Sequence, residues 1–234
     1  MSKTKVIGVA GILIVAGIIS LFIYGNEEKV TGAATYKQSI KIGAILPLSG
    51  SAAYYGENSQ KGIEIAKEEL KQIYPDYRFE VLYEDSQYTA KGGVDAYNKL
   101  KNFDRLDAVI TGASQVSLAV LPLAKESGIL QMAIFSSANK YSVADDLTFR
   151  ISTRNEIESE AVANFISLKN YRKLAILYIN NDFGVGFKDA LKEQITKKNI
   201  PISIVVEENY LLDTNDFRTI LTKAKQKILM LFLL

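Results

Sequence analysis

Four short stretches of this chain hold residue types able to engage a small molecule. They read PLSGSAAYYG (47–56), TGASQVS (111–117), SSAN (136–139) and NNDFGVG (180–186), and each follows an apolar run. The first combines small residues, which let a backbone approach a ligand closely, with Tyr54 and Tyr55, aromatics able to wall a site. The second and third supply hydroxyls and backbone N–H groups. At the start of a helix such groups favour an anion such as a carboxylate. The fourth supplies Phe183 as another aromatic wall. Taken singly, these residues have plainer uses. A Ser or Thr after a strand commonly caps the next helix, a loop tyrosine commonly packs, and NND commonly makes an Asx turn. Their convergence on one edge of the fold is what predicts a polar pocket with stacking walls.

The same inventory argues against catalysis. The chain has no cysteine and no histidine. Disulfides, thiolate metal sites and cysteine nucleophiles are therefore excluded, and the commonest general base is missing. Carboxylate-only metal sites and lysine chemistry remain open. The acidic YEDS (83–86) reads as two neighbouring solvated carboxylates ending a strand, without other ligands at coordinating spacing. GVG is no phosphate loop, since neither GxGxxG nor GxxxxGK[ST] follows a strand anywhere. No catalytic residue, metal ligand or cofactor is expected, and the pocket predicts binding rather than turnover.

The elements that must position these loops alternate in type. IKIGAILP (40–47) is a nearly continuous apolar run, as in a parallel strand covered on both faces. Gly62/Ile63, Ala66, Leu70 and Ile73 then mark one helical face. RFEVLYE (78–84) is a strand; Val94, Tyr97 and Leu100 mark a helix; DAVIT (107–111) is a third strand. A helix over 117–126 follows, with Pro122 forcing an early start or a kink. GILQMAIF (128–135) is a fourth strand and LTFRIS (147–152) a short strand-like stretch. The pattern then restarts. A helix with Ile157, Ala161, Phe165 and Leu168 leads to KLAILYI (173–179), and one with Phe187, Leu191 and Ile195 leads to ISIVVEE (202–208). A last helix with Phe217, Ile220 and Leu221 leads to the terminal ILMLFLL. Such alternation predicts an α/β fold of parallel sheets with right-handed crossovers. The break near 150–156 predicts two sub-domains, with four strands before it and three after. Ligands in open parallel sheets sit outside the carboxyl ends of the strands, where all four stretches fall.

The 234 residues carry 28 basic and 26 acidic side chains, a net charge near +2. The lysines are scattered among acids, so no nucleic-acid partner is expected. At the N-terminus, Lys3 and Lys5 precede an uncharged run over 6–24, followed by Glu27, Glu28 and Lys29. About 20 apolar residues are needed to span a bilayer, more than a secretory core of about 7–15. Residues 1–24 are thus read as a membrane anchor or signal segment, length favouring the uncleaved anchor. The flanking lysines predict that everything after Tyr24 lies outside the cytoplasm. TGAAT (31–35) is a weak cleavage signal, and 25–39 reads as a tether. The domain proper is assigned to 40–153, a first lobe, and 154–234, a partial second lobe. The chain stops inside an apolar run, which is the pattern of a truncated second lobe.

The ordered set of motifs resembles a known family. IKIGAILPLSGSAAYYGENSQKGIEIAKEEL, VITGASQVSLAVLPLAKESGI, FSSAN and LAILYINNDFGVGFKDAL are similar to type I periplasmic solute-binding proteins of the Leu/Ile/Val-binding kind, the receptors of ABC importers. The resemblance covers roughly residues 40–227. It implies a periplasmic-binding-protein-like type I fold, two Rossmann-like lobes joined by hinge strands and closing on a small ligand. By position, Tyr55 matches the aromatic of the first loop, and Ser114 the serine whose hydroxyl holds the ligand carboxylate. Ser137, Ala138 and Asn139 fall where backbone groups and a hydroxyl bind carboxylate and ammonium; Phe183 matches a second-lobe aromatic wall. Asn139 stands where a threonine is common, and Phe183 lacks the tyrosine hydroxyl often found there. The chain ends before the second-lobe aromatic and acid that usually meet the ammonium.

The function implied is an extracytoplasmic receptor, tethered by its N-terminal helix or secreted if cleaved, delivering an amino acid (branched-chain-like) or similar small polar solute to an ABC permease. A ligand-sensing ectodomain of the same fold and a non-functional truncated fragment are the alternatives. Only 1–5 precede the apolar run, too few for a cytoplasmic signalling segment. A fragment without its opposing wall is expected to bind weakly.

Overall fold

The computed structural model describes residues 38–103, 105–141, 147–226 and 231–233. The expected anchor at 1–24 lies outside them, as does the tether except for Gln38 and Ser39, which already belong to the first strand. Among the described residues no helix is long and apolar enough to cross a membrane.

Strand β1 (Gln38–Leu46) leads through a 3-10 turn (Gly50–Ala52) into α1 (Ala53–Ile73). Then come β2 (Tyr77–Asp85), α2 (Ala90–Phe103), β3 (Ala108–Gly112), α3 (Ser114–Glu126), β4 (Leu130–Ile134) and β5 (Thr148–Arg150). These form a five-stranded, all-parallel sheet in the order β2-β1-β3-β4-β5. The short stretch at 147–152 is thus a full member of the first sheet, giving it five strands rather than four. The second sheet follows from α4 (Asn155–Leu168), β6 (Lys173–Ile179), α5 (Asp182–Lys197), β7 (Ser203–Tyr210), α6 (Arg218–Lys225) and β8 (Leu231–Leu233). It is parallel, in the order β7-β6-β8.

Alternation along the strands sorts the helices onto opposite faces. In the first sheet Leu82 packs with Tyr97, Leu100, Val116 and Val120 from α2 and α3. Its neighbour Tyr83 turns the other way and donates its hydroxyl to Glu64 Oε1 of α1 at 2.8 Å. In β6, Leu174 and Ile176 join Ala163, Ile166, Phe187, Leu191 and Ile195 of α4 and α5, while Ala175 and Leu177 face Ala224 of α6. Each fully buried Leu, Ile or Phe contributes roughly 1.5–3 kcal/mol.

Two helices depart from the faces predicted for them. On α1, Ile63 and Leu70 are half-buried, but Ala66 and Ile73 are exposed, and only Gly56 is buried. On α4 the predicted stripe is the outer one: Ile157 (51%), Phe165 (44%) and Leu168 (77%) are exposed. The buried side is Asn155, Ser159, Ala163 and Ile166. Small residues there let α4 approach α5 closely, and the bulk between them comes from Phe187, Leu191 and Ile195 of α5. Apolarity alone does not choose between two stripes; the partner helix does.

The third helix begins at Ser114, three residues ahead of the predicted 117, and runs unbroken past Pro122 to Glu126. That shift makes Ser114 the first helical residue. Register aligns the strand ends: Leu46 pairs with Asp85, Ile45 with Thr111, and Gly112 with Ile134. The loops at 47–49, 86–89, 113 and 135–139 consequently leave the first sheet from one edge. In the second sheet Ile179 and Tyr210 end side by side.

Candidate ligand-binding site

Asp85, at the end of β2, organises the first rim. Its carboxylate accepts from Leu48 N at 2.8 Å, Gln87 N at 2.8 Å and the Ser49 hydroxyl. The acidic pair ending this strand was expected to be merely solvated; Asp85 instead ties the 47–49 loop to the turn that carries Tyr88. Partial burial pushes its carboxyl up, but the bonds from Ser49, Gln87 and Leu48 prevail and hold it below the usual carboxylate value. A depressed folded-state value means that the stabilisation is complete above the unfolded carboxyl pKa, about 3.9, and is lost as pH falls through the folded value. Asp85→Asn is expected to cost about 1.5–3 kcal/mol at neutral pH and to flatten the acid limb of a urea-midpoint-versus-pH curve below about pH 4. An unchanged acid limb would remove Asp85 from this role.

In the 47–56, 111–117 and 136–139 stretches the hydroxyls are not helix caps, contrary to their plainer use, whereas Thr89 after β2 caps α2, its Oγ1 accepting from Gly92 N at 2.9 Å. The residues preceding α1, α3 and α4 make no side-chain cap. Ser114 Oγ accepts from Ser137 N at 3.2 Å, and Ser114 is 1% exposed. Two of the expected site residues are thus joined directly. Tyr55, exposed on the rim, has its ring 6.1 Å from that of Phe135. Asn139 Oδ1 accepts from Glu156 N at 3.0 Å, so this side chain serves the first turn of α4. Ala138 is buried. Ala138 and Asn139 line a cavity of about 270 Å³ whose far wall includes Asp182, Val185 and Gly186 of α5; Tyr55, Ser114 and Phe183 are not in its lining.

Phe183 reaches the group through Asn155, which no sequence signal singled out. Asn155 N donates to Ser137 O at 2.8 Å and Asn155 Nδ2 donates to Phe183 O at 3.2 Å. A fully buried residue on the connection between the sheets thus holds both rims, the first through its backbone and the second through its side chain. The Phe183 ring stacks edge-on against Phe187 at 6.3 Å and packs on the second core. NND makes a helix N-cap in place of the Asx turn read from it: Asn181 Oδ1 accepts from Gly184 N, three residues on, at 3.0 Å and caps α5.

Backbone strain gathers on this edge. Gln87 (φ 50°), Tyr88 (φ 57°), Ala113 (φ 82°) and Phe135 (φ 35°) all adopt left-handed conformations. They directly follow β2, β3 and β4. Such residues cost about 1–3 kcal/mol each and cluster at binding sites. Asn170 and Asn199, with similar angles, merely end α4 and α5, as Asn often does. Among the described residues no group of three or more acidic side chains is placed to hold a metal ion.

Two parallel α/β sheets with a rim of small residues, hydroxyls and aromatics at their carboxyl edges are the architecture of a periplasmic-binding-protein-like fold. The chain belongs to the periplasmic binding protein family, whose profile matches residues 39–231. Leu/Ile/Val-binding protein homolog 3 of Brucella melitensis is 26% identical over 191 residues, covering 80% of this chain and 51% of its own length. An extracellular ligand binding receptor from Desulfohalobium retbaense superposes with a TM-score of 0.72 at 25% identity, covering 83% of this chain and 34% of that one. The branched-chain amino acid transporter substrate binding protein LivJ of Streptococcus pneumoniae, in complex with isoleucine, shares the fold with a TM-score of 0.73 at 23% identity, covering 83% and 56%. The chain spans about half the length of the curated relatives it matches.

Proposed function

We propose that this chain is the extracytoplasmic solute-binding component of an ABC-type importer, taking an amino acid or similar small polar solute in the cleft between its lobes. Its N-terminal apolar segment would tether it to the membrane, and a permease there would receive the solute. The observation that carries this reading is Ser114. It is the first residue of a 13-residue helix, nearly fully buried, and its hydroxyl already accepts a bond from Ser137 N. Its own O–H is left to donate, at a helix end whose dipole favours a carboxylate. Tyr55 and Phe183 would serve as its aromatic walls. No side chain there is a nucleophile paired to a base, which supports binding over turnover.

Calorimetric titration of the full chain in detergent with free amino acids tests the reading. A bound amino acid stabilises the fold by about 2.7 kcal/mol at a hundredfold excess over Kd. Ser114→Ala is expected to weaken binding roughly ten- to hundredfold, the loss of one charge-assisted bond, and to lower Tm modestly because Ser137 N loses its partner. Affinity unmoved by Ser114→Ala would sink the proposal.

A further inference from the structure

Beside Ser114 stands a second set of polar atoms that the fold itself does not use. Gln115 is 7% exposed; its Nε2 donates to Tyr88 O at 2.8 Å, but its Oε1 is buried without a partner. Across the cleft, Asn181 uses Oδ1 to cap α5, and its Nδ2 is likewise buried without a partner. Both carboxamides lie beside the Tyr88 phenol, although Asn181 Nδ2 does not reach it with hydrogen-bonding geometry. Tyr88 itself is held in place by two successive left-handed residues and by the Asp85 turn. Burial pushes its hydroxyl up, against the two carboxamides, so the phenol stays neutral and able to donate.

One free acceptor from the first lobe and one free donor from the second form a complementary pair. A primary carboxamide matches it: the ligand C=O accepts from Asn181 Nδ2 while the ligand NH2 donates to Gln115 Oε1. A branched aliphatic side chain leaves both atoms unpaired, and a buried polar atom without a partner is costly. A carboxylate side chain has no proton to give Gln115 Oε1. We propose that Gln115, Asn181 and Tyr88 form a side-chain subsite selecting a carboxamide-bearing amino acid over a branched aliphatic one. This deepens the amino-acid reading above and rests on it.

The test is calorimetric titration of the full chain in detergent with L-glutamine, L-asparagine, L-glutamate, L-leucine and L-valine. Glutamine or asparagine is expected to bind roughly tenfold or more tightly than the other three, because a site built to hydrogen-bond rejects ligands that lack the group. Gln115→Met, Tyr88→Phe and Asn181→Ser, the last keeping a hydroxyl to cap α5, should bring the ratio of glutamine to leucine affinity close to one. A purely structural role would weaken both ligands alike and leave that ratio unchanged. Leucine or valine binding more tightly than glutamine, or a ratio untouched by all three variants, overturns the inference and leaves the amino-acid reading standing. No binding of any of the five overturns both.

Discussion

Replacing Gly56 with alanine is expected to destabilise the protein by about 3 kcal/mol, lowering the urea midpoint with an unchanged m-value. A Cβ at Gly56 would stand 2.0 Å from Pro47 O, an approach no real side chain makes. The obstacle is main chain at the end of β1, so no rotamer change relieves it. Either α1 lifts from the sheet or the 47–49 loop gives up its bonds to Asp85. The same device recurs twice: a Cβ at Gly92 would meet Ser86 O at 2.1 Å, and one at Gly184 would meet Ile179 O at 2.1 Å. In each unit the first turn of the helix is pressed against a carbonyl next to the preceding strand end. Gly62, in the same helix as Gly56, has nothing within 4 Å of its would-be Cβ. Gly62→Ala is therefore the matched control, expected to stabilise by roughly 0.5–1 kcal/mol through helix propensity. Similar midpoints for the two variants would refute the close-approach account. Because Gly56 adjoins Tyr55, any surviving Gly56→Ala protein should also lose the Tyr55–Phe135 ring contact.

Asn155→Leu is expected to have the second large effect, about 2–3 kcal/mol in stability together with a loss of ligand affinity. The side chain is fully buried, and Nδ2 is bonded to Phe183 O; Gly186 is packed so closely that its would-be Cβ lies 2.9 Å from the same nitrogen. Leucine matches the volume but forks where the carboxamide is planar, and crowding against Gly186 costs about 1–3 kcal/mol; the lost bond to the Phe183 carbonyl, which keeps its helical partner, adds about 0.5–1.5 kcal/mol. The backbone bond from residue 155 to Ser137 O is independent of the side chain, so the first rim should stay in place while the second shifts. Denaturant melts give the first quantity and titration the second. Stability loss with ligand affinity intact would mean that the two rims are held in register by something other than Asn155.

The strands were legible because parallel pairing buries them on both faces and leaves near-continuous apolar runs, as in KLAILYI, which became Lys173–Ile179 without change. Helix positions were equally clear; helix faces were not. On α4 two stripes compete, and only the presence of α5 decides that Ser159 and Ala163 go inward. LTFRIS was too short to identify as a member of the first sheet before its pairing with β4 was seen. At the site, loop composition pointed to Ser114, Ser137 and Phe183, which the fold gathers through short bonds. Asn155 and Tyr88 had no local signature, and Asp85 carried only that of a solvated acid ending a strand. Each acts by bonding to a residue far along the chain, and such partners are set by topology rather than by spacing.

The left-handed backbone at Gln87, Tyr88, Ala113 and Phe135 has a consequence for the thermodynamics of recognition. Fixing a loop residue into one conformation costs about 1–2 kcal/mol of entropy. Here that cost is met when the chain folds, by the sheet and the Asp85 turn, rather than when a solute arrives. On the reading proposed above, the first lobe would meet a solute with these loops already fixed, so discrimination between solutes would rest on which hydrogen bonds are completed.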